Sequence, residues 1–198
     1  IYFFLLRYGH STLVRVPFSS LEIDFGYFYP LLIFIIVSGF SNGVNLTDGI
    51  DGLAGGSAIL ALLALLFLAS WQGLEELVYF CGILVGACFG FLIYNLHPAR
   101  VFMGDVGSLA LGAALGVLAI LLRKELLFVI IGGVFVFETL TVIIQQISWR
   151  TRKKRIFKYT PIHYSFTLNG WKEKDVVLLF YALGLTFALI GLGLSALS

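Results

Sequence analysis

Residues 50–71 read IDGLAGGSAILALLALLFLASW, an apolar run in which only Asp51 carries a charge. An α-helix of about 20 mainly apolar residues crosses the hydrocarbon core of a bilayer, since each residue adds about 1.5 Å. The run is therefore expected to span a membrane, with its acid at one end. This stretch places the chain among the integral membrane proteins.

Five further segments have the same character. They lie at about 25–43, 77–94, 106–122, 126–149 and 176–197. The chain of 198 residues is 60% hydrophobic and 12% charged, which is about half the charged fraction of a soluble domain. We therefore predict an all-α fold, in which residues 1–198 form one polytopic transmembrane domain with a bundle of about six helices. Its surroundings are the lipid bilayer, and no nucleic-acid partner is expected.

The charges predict how the bundle is oriented. Residues 150–175 form the one long connection after the first span, and they carry eight of the thirteen basic residues. Loops rich in Lys and Arg stay in the cytoplasm, so this loop is predicted to be cytoplasmic. Alternation of the spans then puts residues 44–51 and 95–105 on the same cytoplasmic side and the C-terminus outside.

The first polar motif is the glycine-rich junction Asn45-Leu-Thr-Asp48-Gly-Ile-Asp51-Gly52. Asp48 and Asp51 are three residues apart and would share a face if the second helix had already begun there. Acids are costly at membrane depth, and a glycine-rich backbone lets a ligand approach closely. The motif is thus predicted to hold Mg²⁺ or part of a nucleotide or sugar. The alternative is a helix cap in an interfacial turn, which two Asp and an Asn fit poorly.

The second motif, Asn95-Leu-His-Pro-Ala-Arg-Val-Phe-Met-Gly-Asp105, opens the fourth helix. Asp105 is either a helix cap or a metal-bound carboxylate with small neighbours, and Phe102 could be an ordinary interfacial aromatic. The third motif, Thr160-Pro-Ile-His163, lies in the basic loop, where a histidine is usually solvated. Glu138 lies within the fifth span, where a carboxylate must be buried and either partnered or protonated.

Four segments, taken in order, resemble one enzyme family. They are Asn45-Leu-Thr-Asp-Gly-Ile-Asp-Gly-Leu-Ala54, Pro98-Ala-Arg-Val-Phe-Met-Gly-Asp-Val-Gly-Ser-Leu-Ala-Leu-Gly112, Glu138-Thr-Leu-Thr-Val-Ile-Ile-Gln145, and Pro161-Ile-His163 with Leu168-Asn-Gly-Trp171. From about Phe28 to its C-terminus, the chain resembles the polyprenyl-phosphate hexosamine-1-phosphate transferases. The last segment favours the phospho-N-acetylmuramoyl-pentapeptide branch of that family.

The resemblance implies a reaction. Enzymes of this branch move phospho-MurNAc-pentapeptide from UDP-MurNAc-pentapeptide to undecaprenyl phosphate, with Mg²⁺ as cofactor, and they release lipid I and UMP. They act in peptidoglycan synthesis at the bacterial inner membrane. The expected partners are these two substrates and the lipid bilayer, and a homodimer is left open.

The resemblance also implies roles for the matching residues. Asp105 is expected to bind Mg²⁺, and the catalytic groups would be Asp105, Asp48, Asp51 and His163. Asp48 and Asp51 would contact the nucleotide–sugar end of the donor. The substrate-binding residues would be Asn45, Asn95, Gln145 and Phe102, of which Phe102 would stack on uracil.

Two features depart from the family pattern. The family continues Pro-Ile-His with two more histidines, where this chain has Tyr164-Ser165. The family also has about ten transmembrane helices and an adjacent Asp-Asp pair with a nearby Lys, which would lie before Ile1. We therefore expect residues 1–198 to be the C-terminal part of a longer enzyme and to be inactive alone.

Three other interpretations stay open from the sequence. The same chemistry could use another donor, such as UDP-N-acetylglucosamine, or the chain could be an inactive remnant. A membrane transporter is an interpretation of a different class. It would place acids along a transmembrane path, whereas Asp48, Asp51 and Asp105 are predicted to lie at one boundary.

Overall fold

The structure, a computed structural model, describes residues 7, 9, 11–19 and 21–197. A short antiparallel hairpin pairs β1 (Leu13–Arg15) with β2 (Glu22–Asp24), and a 3₁₀ turn follows at Gly26–Phe28. The α-helices that come after it in the described part of the chain are α1 (Tyr29–Thr47), α2 (Leu53–Trp71), α3 (Glu75–Asn95), α4 (Gly104–Leu121), α5 (Glu125–Ile131), α6 (Gly133–Arg152), α7 (Ile162–Leu168) and α8 (Glu173–Leu197).

Five of these helices, α1 to α4 and α8, are long and apolar enough to cross a membrane. The bent pair α5–α6 gives a sixth span if the two helices are counted together. Most of α2 is buried inside the bundle, whereas α3 turns most of its apolar surface outward, as a helix in contact with lipid can. The predicted fold class, a nearly all-helical polytopic membrane bundle, is confirmed.

The junction between the first two spans differs from the prediction. α1 continues to residue 47 instead of ending near residue 43, so Asn45 lies in its last turn. α2 begins at residue 53 instead of residue 50, because Gly52 before it has a left-handed backbone with φ +82°, which breaks the helical path. Asp48 and Asp51 therefore lie in a turn between two helices and not on one helical face.

The predicted span at residues 126–149 is broken in two. α5 and α6 meet at Gly132 and are bent by 84°. Adjacent glycines favour such a break, and both are packed tightly. A Cβ on Gly132 would lie 2.5 Å from the Phe40 ring, and a Cβ on Gly133 would lie 2.7 Å from the Phe187 ring. Hydropathy measures how apolar a segment is and carries no information about the direction of the helix axis. The sequence therefore predicts one straight helix here.

Two connections contain more regular structure than the sequence suggests. The basic segment 150–175, predicted as a loop, includes the end of α6, the short helix α7 and the start of α8. The segment before α1 contains the β1–β2 hairpin, in which Val14 is fully buried and joins the hydrophobic core of the bundle.

Small residues let α1 and α4 approach closely. A Cβ on Gly112 would lie 2.3 Å from the carbonyl oxygen of Phe40, and a Cβ on Gly116 would lie 3.1 Å from the α1 backbone. Ser41 on α1 also donates a 2.9 Å hydrogen bond to the carbonyl oxygen of Leu109 on α4. This close pairing brings the last turn of α1 next to the first turn of α4.

Polar contacts identify the turns that share one end of the bundle. Tyr29, at the start of α1, donates a 2.5 Å hydrogen bond to Glu125 at the start of α5, and both side chains are buried. Gln72, after α2, donates to the carbonyl oxygen of Leu122, after α4. The three polar motifs lie at the opposite end, as alternation of the spans predicts.

Candidate active site

The turn at residues 48–52, which we term the carboxylate turn, lies at the centre of the candidate site. Three distant parts of the chain contact its backbone: Asn95 at the end of α3, Tyr164 on α7 and Tyr181 on α8. Contacts over such separations can form only when the helices are packed together. The structure therefore gathers all three polar motifs around one turn.

Asp105 is held by an amide from the neighbouring helix. The Nδ2 group of Asn45 donates to Oδ1 of Asp105 at 2.9 Å and to Oγ of Ser108 at 3.0 Å. The Ser108 hydroxyl donates in turn to the carbonyl oxygen of Gly104 at 2.8 Å. Met103, and not Asp105, occupies the cap position of α4, so the capping alternative is not what the structure contains.

Asp48 and Asp105 are two carboxylates close enough to influence each other. Burial raises the pKa of Asp48, the negative charge of Asp105 raises it further, and a backbone hydrogen bond from Gly104 opposes the rise. A bound divalent cation would offset the repulsion between the two acids, and carboxylate oxygens are ligands that Mg²⁺ prefers. Asp48 and Asp105 therefore fit the Mg²⁺ ion that the family resemblance assigned to Asp105 alone.

Asp51 lies on another side of the carboxylate turn. Its Oδ2 atom accepts a 2.9 Å hydrogen bond from the N–H of Ala99 and lies 3.1 Å from Nδ1 of His97. The same His97 nitrogen lies 3.3 Å from Glu173 at the start of α8. Three potential ligand atoms lie within 4.8 Å of one another in Asp51, His97 and Glu173. This group could hold a cation, or His97 alone could bridge the two acids.

Asn95 has a structural role that its motif did not reveal. Its side chain is 3% exposed, and its Oδ1 atom accepts a 3.0 Å hydrogen bond from the N–H of Gly52. Its Nδ2 group donates to the carbonyl oxygen of Val101 at 2.9 Å. Tyr181 donates to the carbonyl oxygen of Gly52 at 2.7 Å. Asn95 was predicted as a substrate contact, and that role stays a prediction; in the structure its side chain bonds to the carboxylate turn and to the loop after α3.

His163 is a core residue and not a solvated loop histidine. It is fully buried, and its Nδ1 atom lies 3.1 Å from Oε1 of Glu138, which is itself fully buried. The N–H of Ile162 donates to the other oxygen of Glu138 at 2.9 Å. The Nε2 atom of His163 is buried against Gly49 and has no hydrogen-bond partner among the described residues. His163 thus packs against the backbone of the carboxylate turn at Gly49.

The two residues that depart from the family pattern both make hydrogen bonds. Tyr164 donates through its hydroxyl to the carbonyl oxygen of Gly49 at 2.9 Å. Ser165 accepts a 2.9 Å hydrogen bond from the N–H of Tyr159 and donates to the carbonyl oxygen of the same residue. Burial is the main cause that raises the pKa of Tyr164, and nearby acids add to it, so this hydroxyl stays protonated at neutral pH.

Gln145 also bonds to the protein's own backbone. Its Oε1 atom accepts from the N–H groups of Ile156 and Phe157, and its Nε2 group donates to the carbonyl oxygen of Phe157. It lies on the wall of an open cleft, whose other lining residues are Gln146, Trp149, Arg155, Tyr159 and Thr160. Gln145 shapes this cleft, but its polar atoms are already engaged.

Phe102 is the predicted substrate contact that remains most available. Its side chain is 74% exposed, in the loop between α3 and α4. Nearby in sequence, His97 and Leu96 line a second open cleft, together with Asp51, Lys174, Val177, Leu178 and Tyr181. An exposed ring in this loop can stack on a planar ligand without breaking any packing of the bundle.

Several residues around the site were missed from the sequence. Ser108 contacts Asn45 and His97 contacts Asp51, both of which are predicted site residues. Glu173 contacts His97, and Tyr181 donates to Gly52 in the first motif. His97 stands inside the second motif, which was a signal that the sequence offered. Tyr181 lies within an apolar span and carried no signal.

The fold and the site can now be compared with known proteins. Residues 1–123 match the glycosyl transferase family 4. A phospho-N-acetylmuramoyl-pentapeptide-transferase of Geobacillus sp. strain WCH70 is 51% identical over 191 residues, which is 96% of this chain and 59% of the relative. The enzymes of the same name from Halalkalibacterium halodurans and Moorella thermoacetica are each 50% identical, over 96% and 95% of this chain respectively and 59% of each relative.

The fold and the site define a polytopic membrane protein with a carboxylate-rich site at one end of its helix bundle. The chain belongs to glycosyl transferase family 4. It spans 59% of the length of the curated relatives that it matches. Because the alignments cover 95–96% of the chain, they run through all three polar motifs, which confirms the resemblance that those motifs indicated.

Proposed function

We propose that this chain provides the carboxylate-rich end of an enzyme that transfers phospho-MurNAc-pentapeptide from UDP-MurNAc-pentapeptide to undecaprenyl phosphate. The products would be lipid I and UMP, in peptidoglycan synthesis. The observation that carries the proposal is the meeting of Asp48, Asp105 and Asn45 at one end of the bundle. The names of the relatives, at about 50% identity over nearly the whole chain, support the same reaction.

The chemistry suits this arrangement. Phosphoryl transfer between two anionic substrates depends on positioning and charge neutralisation more than on covalent chemistry by the protein. Asp105 and Asp48 are the residues that would hold Mg²⁺, which supplies Lewis-acid stabilisation of diphosphate charge when it is bound. Asn45 fixes the orientation of the Asp105 carboxylate, and Phe102 offers an exposed ring for the uracil.

The location of the site suits a lipid acceptor. The polar cluster lies at the ends of apolar spans, where a lipid phosphate in the bilayer plane and a nucleotide sugar from water can meet. We place this end in the cytoplasm because the basic segment 150–175 is on the same side, and the C-terminus would then be outside. The membrane would be the bacterial inner membrane, and a homodimer is compatible with this arrangement.

The test uses the complete gene product that contains residues 1–198, purified in detergent and supplied with undecaprenyl phosphate. Each donor is tested separately, with and without Mg²⁺, and UMP and lipid product are measured. We expect turnover with UDP-MurNAc-pentapeptide that disappears when EDTA is added. Turnover with UDP-N-acetylglucosamine alone would overturn the donor assignment. No product with either donor would overturn the proposed function.

A further inference from the structure

Glu138 is a buried acid to which the proposed reaction gives no role. Glu138 is a residue of α6, and its side chain is fully buried. An unpaired carboxylate is costly in such an apolar environment. Both oxygens are engaged, one by the N–H of Ile162 and the other by Nδ1 of His163. This single side chain therefore ties α6 to the start of α7.

His163 links Glu138 to the carboxylate turn. A Cβ added to Gly49 would lie 2.3 Å from Nε2 of His163, so the imidazole is seated directly against the turn. Next to it, the Tyr164 hydroxyl donates to the carbonyl oxygen of Gly49. Gly49 directly follows Asp48, and any shift of the imidazole would displace the acid.

The unpartnered nitrogen of His163 makes the position of its proton important. A neutral imidazole carries one N–H, which sits on Nδ1 or on Nε2. Among the described residues no acceptor faces Nε2, so a proton there would be buried without a hydrogen bond. A proton on Nδ1, in contrast, can be donated to Glu138.

We infer that Glu138 is a positioning residue of the proposed transferase, because it fixes His163 as the Nδ1–H tautomer and thereby holds the carboxylate turn in place behind Asp48. The inference rests on the proposed function, but the tautomer itself does not. Glu138 touches no substrate in this arrangement. It acts through His163, and His163 acts through Gly49.

The sharpest variant is Glu138→Gln, which keeps the size of the side chain. The glutamine oxygen can still accept from the N–H of Ile162, which turns its NH₂ group toward Nδ1 of His163. An amide donor there removes the proton from Nδ1 and forces it onto Nε2, against the turn. The matched control is Glu125→Gln, since Glu125 is the other buried glutamate of the described chain and lies at the far end with Tyr29.

The first readout needs no turnover. The complete gene product is labelled with ¹⁵N-histidine, and His163 is assigned by comparison with a His163→Asn variant. We expect the Nδ1–H tautomer in the wild type and in Glu125→Gln, and the Nε2–H tautomer in Glu138→Gln. A wild-type His163 protonated on Nε2 would overturn the inference, and this measurement stands even if the Glu138 variant does not fold.

The second readout is kinetic. Displacing a reacting group by a fraction of an ångström lowers turnover more than binding, so Glu138→Gln should reduce kcat at least about 10-fold. The donor KM should change by less than about threefold, because binding contacts such as Phe102 lie elsewhere. Glu125→Gln should leave kcat within about twofold of the wild type, since it lies at the other end.

A double variant shows whether Glu138 and His163 affect kcat through one shared role or through two independent roles. If Glu138 acts through His163, Glu138→Gln combined with His163→Asn should be no slower than the slower single variant. Multiplied losses in kcat would show that the two residues act independently and would overturn the inference. If the wild type has no transferase activity but shows the Nδ1–H tautomer and its switch, the proposed function fails while the structural part of the inference stands.

Discussion

Asn45 and Asp105 are joined by a 2.9 Å hydrogen bond between Nδ2 of the amide and Oδ1 of the carboxylate, although 60 positions separate them in the chain. The bond links the last turn of α1 to the first turn of α4, two helices already held close by Gly112. It therefore fixes the orientation of the Asp105 carboxylate through the protein's own contacts. An acid oriented in advance binds a cation without first losing rotamer freedom.

The first prediction concerns the amide. Asn45→Ala frees the Asp105 carboxylate, so turnover of the complete gene product should fall at least about 10-fold and half-saturation should need severalfold more Mg²⁺. A Mg²⁺ titration of initial rates measures both. Asn42→Ala is the control, because Asn42 lies one turn earlier on α1, is exposed, and among the described residues donates to Ser38 of its own helix. Equal losses in the two variants would contradict the orienting role.

The second prediction concerns the charge of Asp105. Asp105→Asn keeps the shape and an oxygen for Asn45 to contact, but it removes the negative charge that Mg²⁺ requires. We expect turnover to fall at least about 100-fold, the scale of losing one key electrostatic group. Initial rates over a range of Mg²⁺ concentrations test this. Near-normal turnover with unchanged Mg²⁺ dependence would leave Asp105 without a role in metal binding.

The third prediction follows from the raised pKa of Asp48. Burial and the charge of Asp105 raise this pKa above its ordinary value of 3.8, so folding disfavours the ionised form. The stability that protonation provides is present below pH 3.8 and is lost as the pH rises through the folded-state pKa. At pH 7, in EDTA, Asp48→Asn should therefore raise the thermal unfolding midpoint, and the gain should shrink toward pH 4.

Asp24, whose pKa is lowered instead of raised, serves as the control for Asp48. The hydrogen bond from Thr12 and, after it, that from the N–H of Gly26 lower the pKa of Asp24. Its stabilising contribution is present above pH 3.8 and is lost as the pH falls through the lowered pKa, so Asp24→Asn should lower the midpoint at pH 7. Midpoint shifts of the same sign in both variants would contradict the assignment for Asp48.

The fourth prediction concerns the exposed ring of Phe102. If it stacks on the uracil of the donor, Phe102→Ala should weaken donor binding by roughly 1–3 kcal/mol. Binding of undecaprenyl phosphate should barely change, and calorimetry with each substrate separates the two. Phe89→Ala on α3 removes a half-exposed ring outside the candidate site and should affect neither. A similar loss for both substrates in Phe102→Ala would point to a folding defect.

The fifth prediction tests the close contact of α1 and α4. A Cβ at Gly112 would lie 2.3 Å from the carbonyl oxygen of Phe40, which is part of a backbone and cannot move aside. Gly112→Ala should therefore destabilise the protein by about 1–3 kcal/mol. Gly86→Ala on α3 meets open space and should be neutral or stabilising by up to about 1 kcal/mol. Unfolding curves of the two variants in the same detergent give the comparison.

Much of the fold was predictable from the apolar segments. The spans were located because hydropathy reports length and polarity, and parity put the three motifs at one end because each span reverses the direction of the chain. The break at Gly132 was not predictable in this way. Its cause is the packing of Phe40 and Phe187 against a glycine pair, and these contacts join residues distant in sequence.

The sequence predicted which residues belong to the candidate site better than it predicted what their side chains contact. Asn95, Gln145 and His163 were identified by motif, yet each points into the protein and bonds to its own backbone or to a buried acid. A motif records which residue stands at a position and not which way its side chain faces. The assignments of these residues to substrate or catalysis stay predictions, and the structure adds a supporting role for each.

The hydrogen bond from Tyr181 to Gly52 spans 129 residues and has a consequence for biosynthesis. A chain leaves the ribosome from its N-terminus, so residues 45–52 are made long before α8. Every predicted site residue has been synthesised once the chain reaches position 163. Tyr181, which donates to Gly52 of the carboxylate turn, is synthesised later. A nascent chain stopped before α8 would carry all three motifs and the contacts of Asn95 and Tyr164 to the turn, but it would lack the hydrogen bond from Tyr181. Synthesis of α8 is thus the step at which this third contact to the carboxylate turn becomes possible.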